Sequence, residues 1–269
     1  MEFRTIVDIA KPEFRIEPCE ELLFVGSCFA DSIGQRFREE GFPVTVNPYG
    51  TMYNPASVLH TIEKYEGKPR TAFITLGTNH VYRLKETGEI VDNCEKRPQA
   101  LFQEEELSVD ACADYLRQAI AVLRKRRPDV RVVMTVSPIR YRKYGYHESQ
   151  VSKATLLLAI EKVLPSDGIA GHCTYFPAYE IVMDELRDYR FYAADMLHPS
   201  AQAVEYIWER LVETYFSPEA KAFLDEWRPL KQALGHKPFN PDSEEYRALM
   251  DKTMLKVAEL RKKYSTFAL

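Results

Sequence analysis

The sequence contains no apolar run long enough to cross a bilayer as a helix, which takes about 18 or more consecutive apolar residues. It has no C-x-x-C pair, so a zinc ribbon or a thioredoxin-type site has no ligands to build on. Neither G-x-G-x-x-G nor a Walker A loop occurs, which leaves nucleotide binding without support. The G-x-S-x-G elbow of the ordinary α/β-hydrolases is missing. No H-x-x-x-H or similar zinc spacing is present; His80, Asp195 and His198 are the one set that could converge on a metal, and we read the site as needing no metal or cofactor. Positive charge is not in excess either: the net charge of -4 argues against a nucleic-acid partner. The first twenty residues interleave Glu2, Arg4, Asp8, Lys11, Glu13 and Arg15 with apolar positions, so no signal-peptide core can be drawn there. Five cysteines, an odd number without tight spacing, read as reduced thiols of a cytoplasmic protein.

What is present is an alternation of short β-branched runs with helical patterns. Strands are predicted at Glu21–Val25, Val44–Val46, Ala72–Leu76 and Val130–Val136, with a last one near Tyr175. Phe29, Ile33 and Phe37 recur at helical spacing up to a stop at Gly41, and Asn54-Pro55 reads as an N-cap with Pro at the first helical position of a helix running to about Gly67. A hairpin is predicted over Val81–Val91, and Ser108 caps a helix ending in the basic cluster Arg124 to Arg127. Residues 137–150 read as a long polar and aromatic loop before a helix from about Val151 to Val163, with further helices over Tyr179–Leu186 and Pro199–Tyr215. This pattern implies an α/β fold with a mostly parallel sheet and helices on both faces. Beyond Phe216 the chain is helical and highly charged, so we divide it into a domain over 1–215 and a helical C-terminal extension over 216–269 that packs on it.

In a sheet of this kind, sites gather at the carboxyl ends of the strands. Gly26-Ser27, Asn47 to Asn54, Gly77 to His80 and Ser137 to Ser149 all follow predicted strands and should crowd onto one edge. Ser27 is the candidate nucleophile, at a strand-to-helix junction where unsatisfied N–H groups face a developing oxyanion; the same residue type is also a preferred N-cap. Cys28 is a rival nucleophile, though an apolar-flanked Cys is commonly buried and inert. His198 is the candidate general base because imidazole titrates near neutrality, and Asp195, three residues earlier, is placed to orient it. The other reading of that pair is an exposed loop in which Asp195 caps the next helix. Gly50 and Asn79 could each donate to an oxyanion, or simply serve turns. Arg140-Tyr141-Arg142-Lys143-Tyr144 could meet an anionic or sugar substrate, or be a solvated basic loop.

Gly26-Ser27-Cys28-Phe29-Ala30 resembles the motif after which the GSCFA family is named. Asn47-Pro48-Tyr49-Gly50 with Asn54-Pro55, Thr75-Leu76-Gly77-Thr78, Ser137-Pro138-Ile139-Arg140, Ser149 to Ala154, Tyr175 to Glu180, Asp184 to Tyr192 and Asp195 to Ser200 also look like that family, in one order, over roughly residues 20–215. The family is itself similar to SGNH/GDSL-type hydrolases. The resemblance therefore implies a three-layer α/β/α, flavodoxin-like fold, with Ser27 as nucleophile, His198 as base, Asp195 as its orienter, and Ser27, Gly50 and Asn79 at the oxyanion hole. One departure is plain: the Gly-Asp-Ser of the larger group reads Val25-Gly26-Ser27 here. The resemblance carries a chemistry class and not a substrate.

These readings point to a serine esterase or O-acyltransferase acting on an acylated carbohydrate or a similar small ester, with Asn54, His80, Arg140 and Tyr141 as substrate contacts. The alternatives are a non-catalytic glycan-binding or interaction protein on a degenerate hydrolase fold, and an adaptor whose charged C-terminal helices dock a partner. Oligomeric state is not legible in the sequence.

Overall fold

The alternation of buried faces along each strand dictates the layers. The computed structural model describes residues 4–92, 97–166 and 169–269. In β1 (Leu22–Gly26), Leu22 and Phe24 turn to one side and Leu23 and Val25 to the other, and every one of them is buried. A strand apolar on both faces has to sit between two layers of helices.

Five parallel strands build the main sheet in the order β2-β1-β3-β7-β8, with β2 (Val44–Val46), β3 (Thr71–Leu76), β7 (Arg131–Val136) and β8 (Cys173–Tyr175) beside β1. This is the flavodoxin-like arrangement of a doubly wound fold, whose switch point lies between β1 and β3. Helices α2 (Pro55–Lys64), α3 (Val109–Arg126) and α4 (Tyr146–Val163) cover the face carrying Val25, Ile74 and Met134. The opposite face, carrying Phe24, Phe73 and Val133, packs against α1 (Cys28–Glu39) and α6 (Ala201–Tyr215). Phe24 and Phe73, paired across β1 and β3, stack with ring centroids 4.4 Å apart, and Phe37 of α1 meets Trp208 of α6 edge-on at 4.7 Å.

A second, antiparallel sheet lies at the rim. Its strands are β4 (His80–Leu84), β5 (Ile90–Val91) and β6 (Phe102–Glu106). The predicted hairpin is β4–β5. The third strand was not predicted, because Phe102-Gln103-Glu104-Glu105-Glu106 has the charged composition of an edge and lacks an apolar face. The predicted boundary between loop and helix also shifts: α4 begins at Tyr146, not Val151, because residues 146–148 of its first turn are exposed and carry no apolar stripe to betray it. The helix after Pro199 begins at Ala201 with Ser200 as its N-cap, and Pro199 instead bridges to Tyr192. The helix predicted over Tyr179–Leu186 is α5 (Ala178–Glu180) running into a π-helical turn over Ile181–Leu186, ended by Arg187 at φ +46°.

The last two helices, α7 (Pro218–Gly235) and α8 (Glu244–Lys263), share the core of α1 and α6. Phe223 packs on Phe42 at 5.8 Å, Trp227 Nε1 donates to Glu39 O at 3.1 Å, and the Ala268 N–H donates to Gly41 O at 3.0 Å. Among the described residues, no helix is long and apolar enough to cross a membrane.

Candidate active site

Ser27 is positioned by a tight exit from β1. Gly26 sits at φ +144°, a conformation open to glycine, with its N–H donating to Asn47 Oδ1 at 2.9 Å. A Cβ on residue 26 would fall 2.0 Å from Thr75 O, so the neighbouring strand also demands glycine. Asn47, itself at φ +40°, is held by donating from Nδ2 to Asp31 Oδ1 at 2.7 Å. Ser27 then extends the sheet by one residue, donating its N–H to Thr75 O at 3.0 Å. It caps α1, accepting the Phe29 N–H at 3.3 Å, and its Oγ lies 3.2 Å from Thr75 Oγ1. The residue is 1% exposed.

Asp195 and His198 form one unit on the loop before α6. Asp195 Oδ1 accepts the backbone N–H groups of Leu197 at 2.8 Å and His198 at 3.0 Å, while Oδ2 lies 2.6 Å from His198 Nδ1. Those backbone donors, with the ring second to them, hold the Asp195 carboxyl down to about 2. Arg140, in the segment following β7, fixes this loop to the sheet edge by donating its N–H to Leu197 O and its Nη1 to Met196 O, each at 3.0 Å. Met196 is held at φ +59°. Both side chains of the Asp195–His198 pair are nearly half exposed. Among the described residues, the hydrogen bonds of Ser27 Oγ run to Thr75 and Phe29, and none joins it to His198.

The expected oxyanion donors are engaged within the protein. Ser27 N–H is bonded to Thr75 O, Gly50 N–H closes a turn onto Asn47 O at 2.9 Å, and the Asn79 amide donates to Leu107 O at 2.8 Å. Gly50 is exposed at φ +96° with open space around it, whereas Asn79 is buried and its Oδ1 lacks a hydrogen-bond partner among the described residues. The first N–H of α1, that of Cys28, has no acceptor within its own helix. The Cys28 thiol itself lies 3.4 Å from the Tyr53 hydroxyl.

The expected substrate contacts scatter. Asn54 Oδ1 is the N-cap of α2, accepting from Ser57 N at 2.9 Å. His80 lies buried on β4, stacked 3.8 Å from Tyr144, and burial pushes its imidazole below the usual range. Tyr141 packs between Tyr53 at 6.0 Å and Tyr144 at 5.2 Å, so these rings form a continuous aromatic wall along the edge. Arg140 faces away from that wall, toward other tyrosines.

Two contributors escape sequence reasoning. Thr75 meets Ser27 only because β1 and β3 pair in register. Lys153 of α4 is buried, with Nζ donating to Gly77 O at 2.7 Å and to Ser137 O at 2.8 Å, so it ties together the chain leaving β3 and β7. Burial pushes that ammonium down to about 7. A signal did exist: Lys153 falls on the same helical stripe as Leu156, Ile160 and Val163, where a charge is out of place.

Fold and site define a doubly wound α/β protein with a strand-to-helix serine and an Asp–His pair brought to the carboxyl edge of its sheet. The chain belongs to the GSCFA family, whose model matches residues 21–73 and 67–211; the model of the GSCFA domain protein C-terminal domain matches residues 227–269. No curated protein matches the chain. Among solved structures, a protein described as a GDSL-like lipase from Parabacteroides merdae is 11% identical, aligning over 76% of this chain and 98% of that one with a TM-score of 0.48. A variant of an acetyl xylan esterase from Geobacillus stearothermophilus is 13% identical over 75% and 98%, at 0.44. A carbohydrate esterase family 3 protein from Talaromyces cellulolyticus is 10% identical over 77% and 99%, at 0.42.

Proposed function

We propose that this protein is a serine esterase or O-acyltransferase of the SGNH type, acting on the ester-linked acyl group of a carbohydrate or small ester. The observation that carries the reading is the Asp195–His198 pair. A carboxylate held ionised by two backbone N–H groups fixes one imidazole tautomer at 2.6 Å, on the sheet edge where Ser27 leaves β1. His198 takes the Ser27 proton through its free Nε2, and Oγ attacks the ester carbonyl. The oxyanion forms against the N-terminus of α1, where among the described residues Cys28 N–H has no acceptor, joined by Gly50 N–H once its exposed turn opens. We give Ser27 N–H and the Asn79 amide lesser parts, because freeing them means breaking bonds in the sheet and in a buried loop. His198 returns the proton to the departing alcohol, and water or an acceptor hydroxyl then releases the acyl group. The Ser27–His198 bond has to form on substrate binding, with the hydroxyl turning away from Thr75; such bonds are often loose before the substrate arrives.

A fluorophosphonate probe tests this directly. Labelling of the wild type at Ser27, with Ser27→Ala abolishing both labelling and ester hydrolysis while melting within a few degrees of the parent, supports the reading; full hydrolysis by Ser27→Ala refutes it. A second reading has its own observation: Ser27 is buried and its hydroxyl already satisfied, as in a pure N-cap. On that reading the protein binds glycans without turnover, and it is favoured by absent labelling alongside retained glycan binding.

A further inference from the structure

A cleft opens beside the Asp195–His198 loop, between the first turn of α4 and the segment from the π-helical turn to Tyr192. At one wall is Arg140. Its guanidinium carbon lies 4.2 Å from the Tyr146 ring centroid, 5.5 Å from that of Tyr192 and 5.9 Å from that of Tyr189. Aromatic rings cover the faces of a guanidinium and leave its planar edge for hydrogen bonds. Only Nη1 is spent, on Met196 O; among the described residues Nε and Nη2 have no hydrogen-bond partner and Arg140 joins no ion pair. Asp188, the carboxylate that lines the cleft, is turned to its own chain, accepting Arg190 N–H at 2.9 Å. Two further features mark the place as built. Arg187 at its lip is held at φ +46°, a conformation that costs a non-glycine residue energy, and the preceding turn is π-helical, a form that recurs at functional sites. The first turn of α4 also meets the cleft through Tyr146, and its cap residue, Gly145, supplies no side chain to the helix N–H groups.

We propose that this cleft is a binding subsite for a carboxylate-bearing group, with Arg140 as its receptor and the tyrosine rings as the platform for the ligand's body. Fork geometry favours a planar two-oxygen acceptor over a neutral hydroxyl. The volume, about 200 Å³, falls below the 300–1,000 Å³ of sites that hold drug-sized ligands, so it takes a single ring or a short acid. An acidic sugar and a small aliphatic acid share that chemistry. That the bound group is part of a substrate rests on the esterase reading; that the cleft binds a carboxylate does not.

Titration of the full chain by NMR or calorimetry with glucuronate, methyl glucoside and succinate tests the proposal without any turnover. Glucuronate is expected to bind at least about tenfold tighter than methyl glucoside, and Arg140→Gln to erase the difference. Tyr189→Glu is a second variant at a residue 67% exposed and outside the Asp195–His198 loop; it is expected to weaken acid binding by about tenfold through charge repulsion. Succinate binding as tightly as glucuronate identifies a plain carboxylate as the ligand, and glucuronate binding alone identifies an acidic sugar; either supports the subsite. Equal binding of methyl glucoside, no saturable binding of either acid, or wild-type affinity in both variants overturns it. Ser27 labelling without acid binding removes the subsite and leaves the esterase, whereas acid binding without labelling does the reverse.

Discussion

Replacing Gly26 by Ala is the sharpest test of how Ser27 is presented. The added Cβ would lie 2.0 Å from Thr75 O, 2.6 Å from Thr75 Oγ1 and 2.8 Å from the Thr75 carbonyl carbon. The first and last of these are backbone atoms of a paired strand, so no rotamer change relieves the clash, and trimming Thr75 to Ala would remove only the second. Relief requires β1 and β3 to separate by on the order of 1 Å, since contacts below about 3 Å are not sustained. That separation breaks the Ser27 N–H bond to Thr75 O, now 3.0 Å, and strands a buried donor and acceptor. The loss costs about 1–3 kcal/mol, and Ala at positive φ adds about 1–2 kcal/mol, giving roughly 2–5 kcal/mol in all. At roughly 2–4 °C per kcal/mol for a chain of this size, the melting temperature should fall by roughly 4–20 °C. Gly50→Ala is the internal control: its φ of +96° carries the conformational cost, but its Cβ meets nothing within 4 Å. Thermal melts followed by circular dichroism should therefore rank wild type above Gly50→Ala above Gly26→Ala. A Gly26→Ala protein that melts within about 2 °C of wild type, or no lower than Gly50→Ala, refutes the close-approach argument.

Asp195→Asn should lower kcat for ester hydrolysis by roughly 10²–10⁴-fold through loss of the imidazole tautomer, with little change in melting because the pair is exposed; activity within threefold of wild type in a p-nitrophenyl ester assay would sink Asp195 as the orienter. Because its folded pKa, about 2, lies below the ordinary carboxylate value, the stability contributed by Asp195 is present above about pH 4 and lost only as pH falls through about 2. Lys153 shifts stability with pH in the same direction but at higher pH, and there the gain is relief of a burial penalty. Its folded pKa of about 7 lies below the ordinary 10.5, so between those values the unfolded chain binds a proton that the folded chain lacks, and stability rises with pH. Denaturant unfolding of wild type against Lys153→Met should show the difference in ΔG growing by up to about 1.4 kcal/mol per pH unit between about pH 8 and 9.5, and flat below about pH 6. A difference constant across that range would mean the ammonium stays charged inside the fold.

Periodicity and caps made most of the frame legible. The run predicted at Ala72–Leu76, which forms β3 with Thr71 added, the Asn54-Pro55 start of α2 and the Ser108 cap of α3 are encoded within a few residues of where they act. The gathering of the strand exits at one sheet edge was also expected, because parallel strands joined by crossover helices deliver every strand's exit to one side. The start of α4 did not follow, since its first turn faces a cleft and not the core, and apolar periodicity reports only burial in the core. That the C-terminal helices pack on the domain was expected, but which of their residues enter the α1–α6 core was hidden. Their charged faces dominate the composition, while Phe223, Trp227, Val257 and Leu260 do the packing.

The sequence by itself determined that a serine stands where a strand turns into a helix and that an aspartate stands three residues before a histidine, because both arrangements are local. Only the tertiary structure decided what those groups touch. Ser27 found Thr75, 48 residues away, through strand register, and Asp195–His198 found Arg140 through the loop that leaves β7. Contacts of that kind depend on which strands pair and how loops close. A one-dimensional pattern of polar and apolar residues carries no term for either.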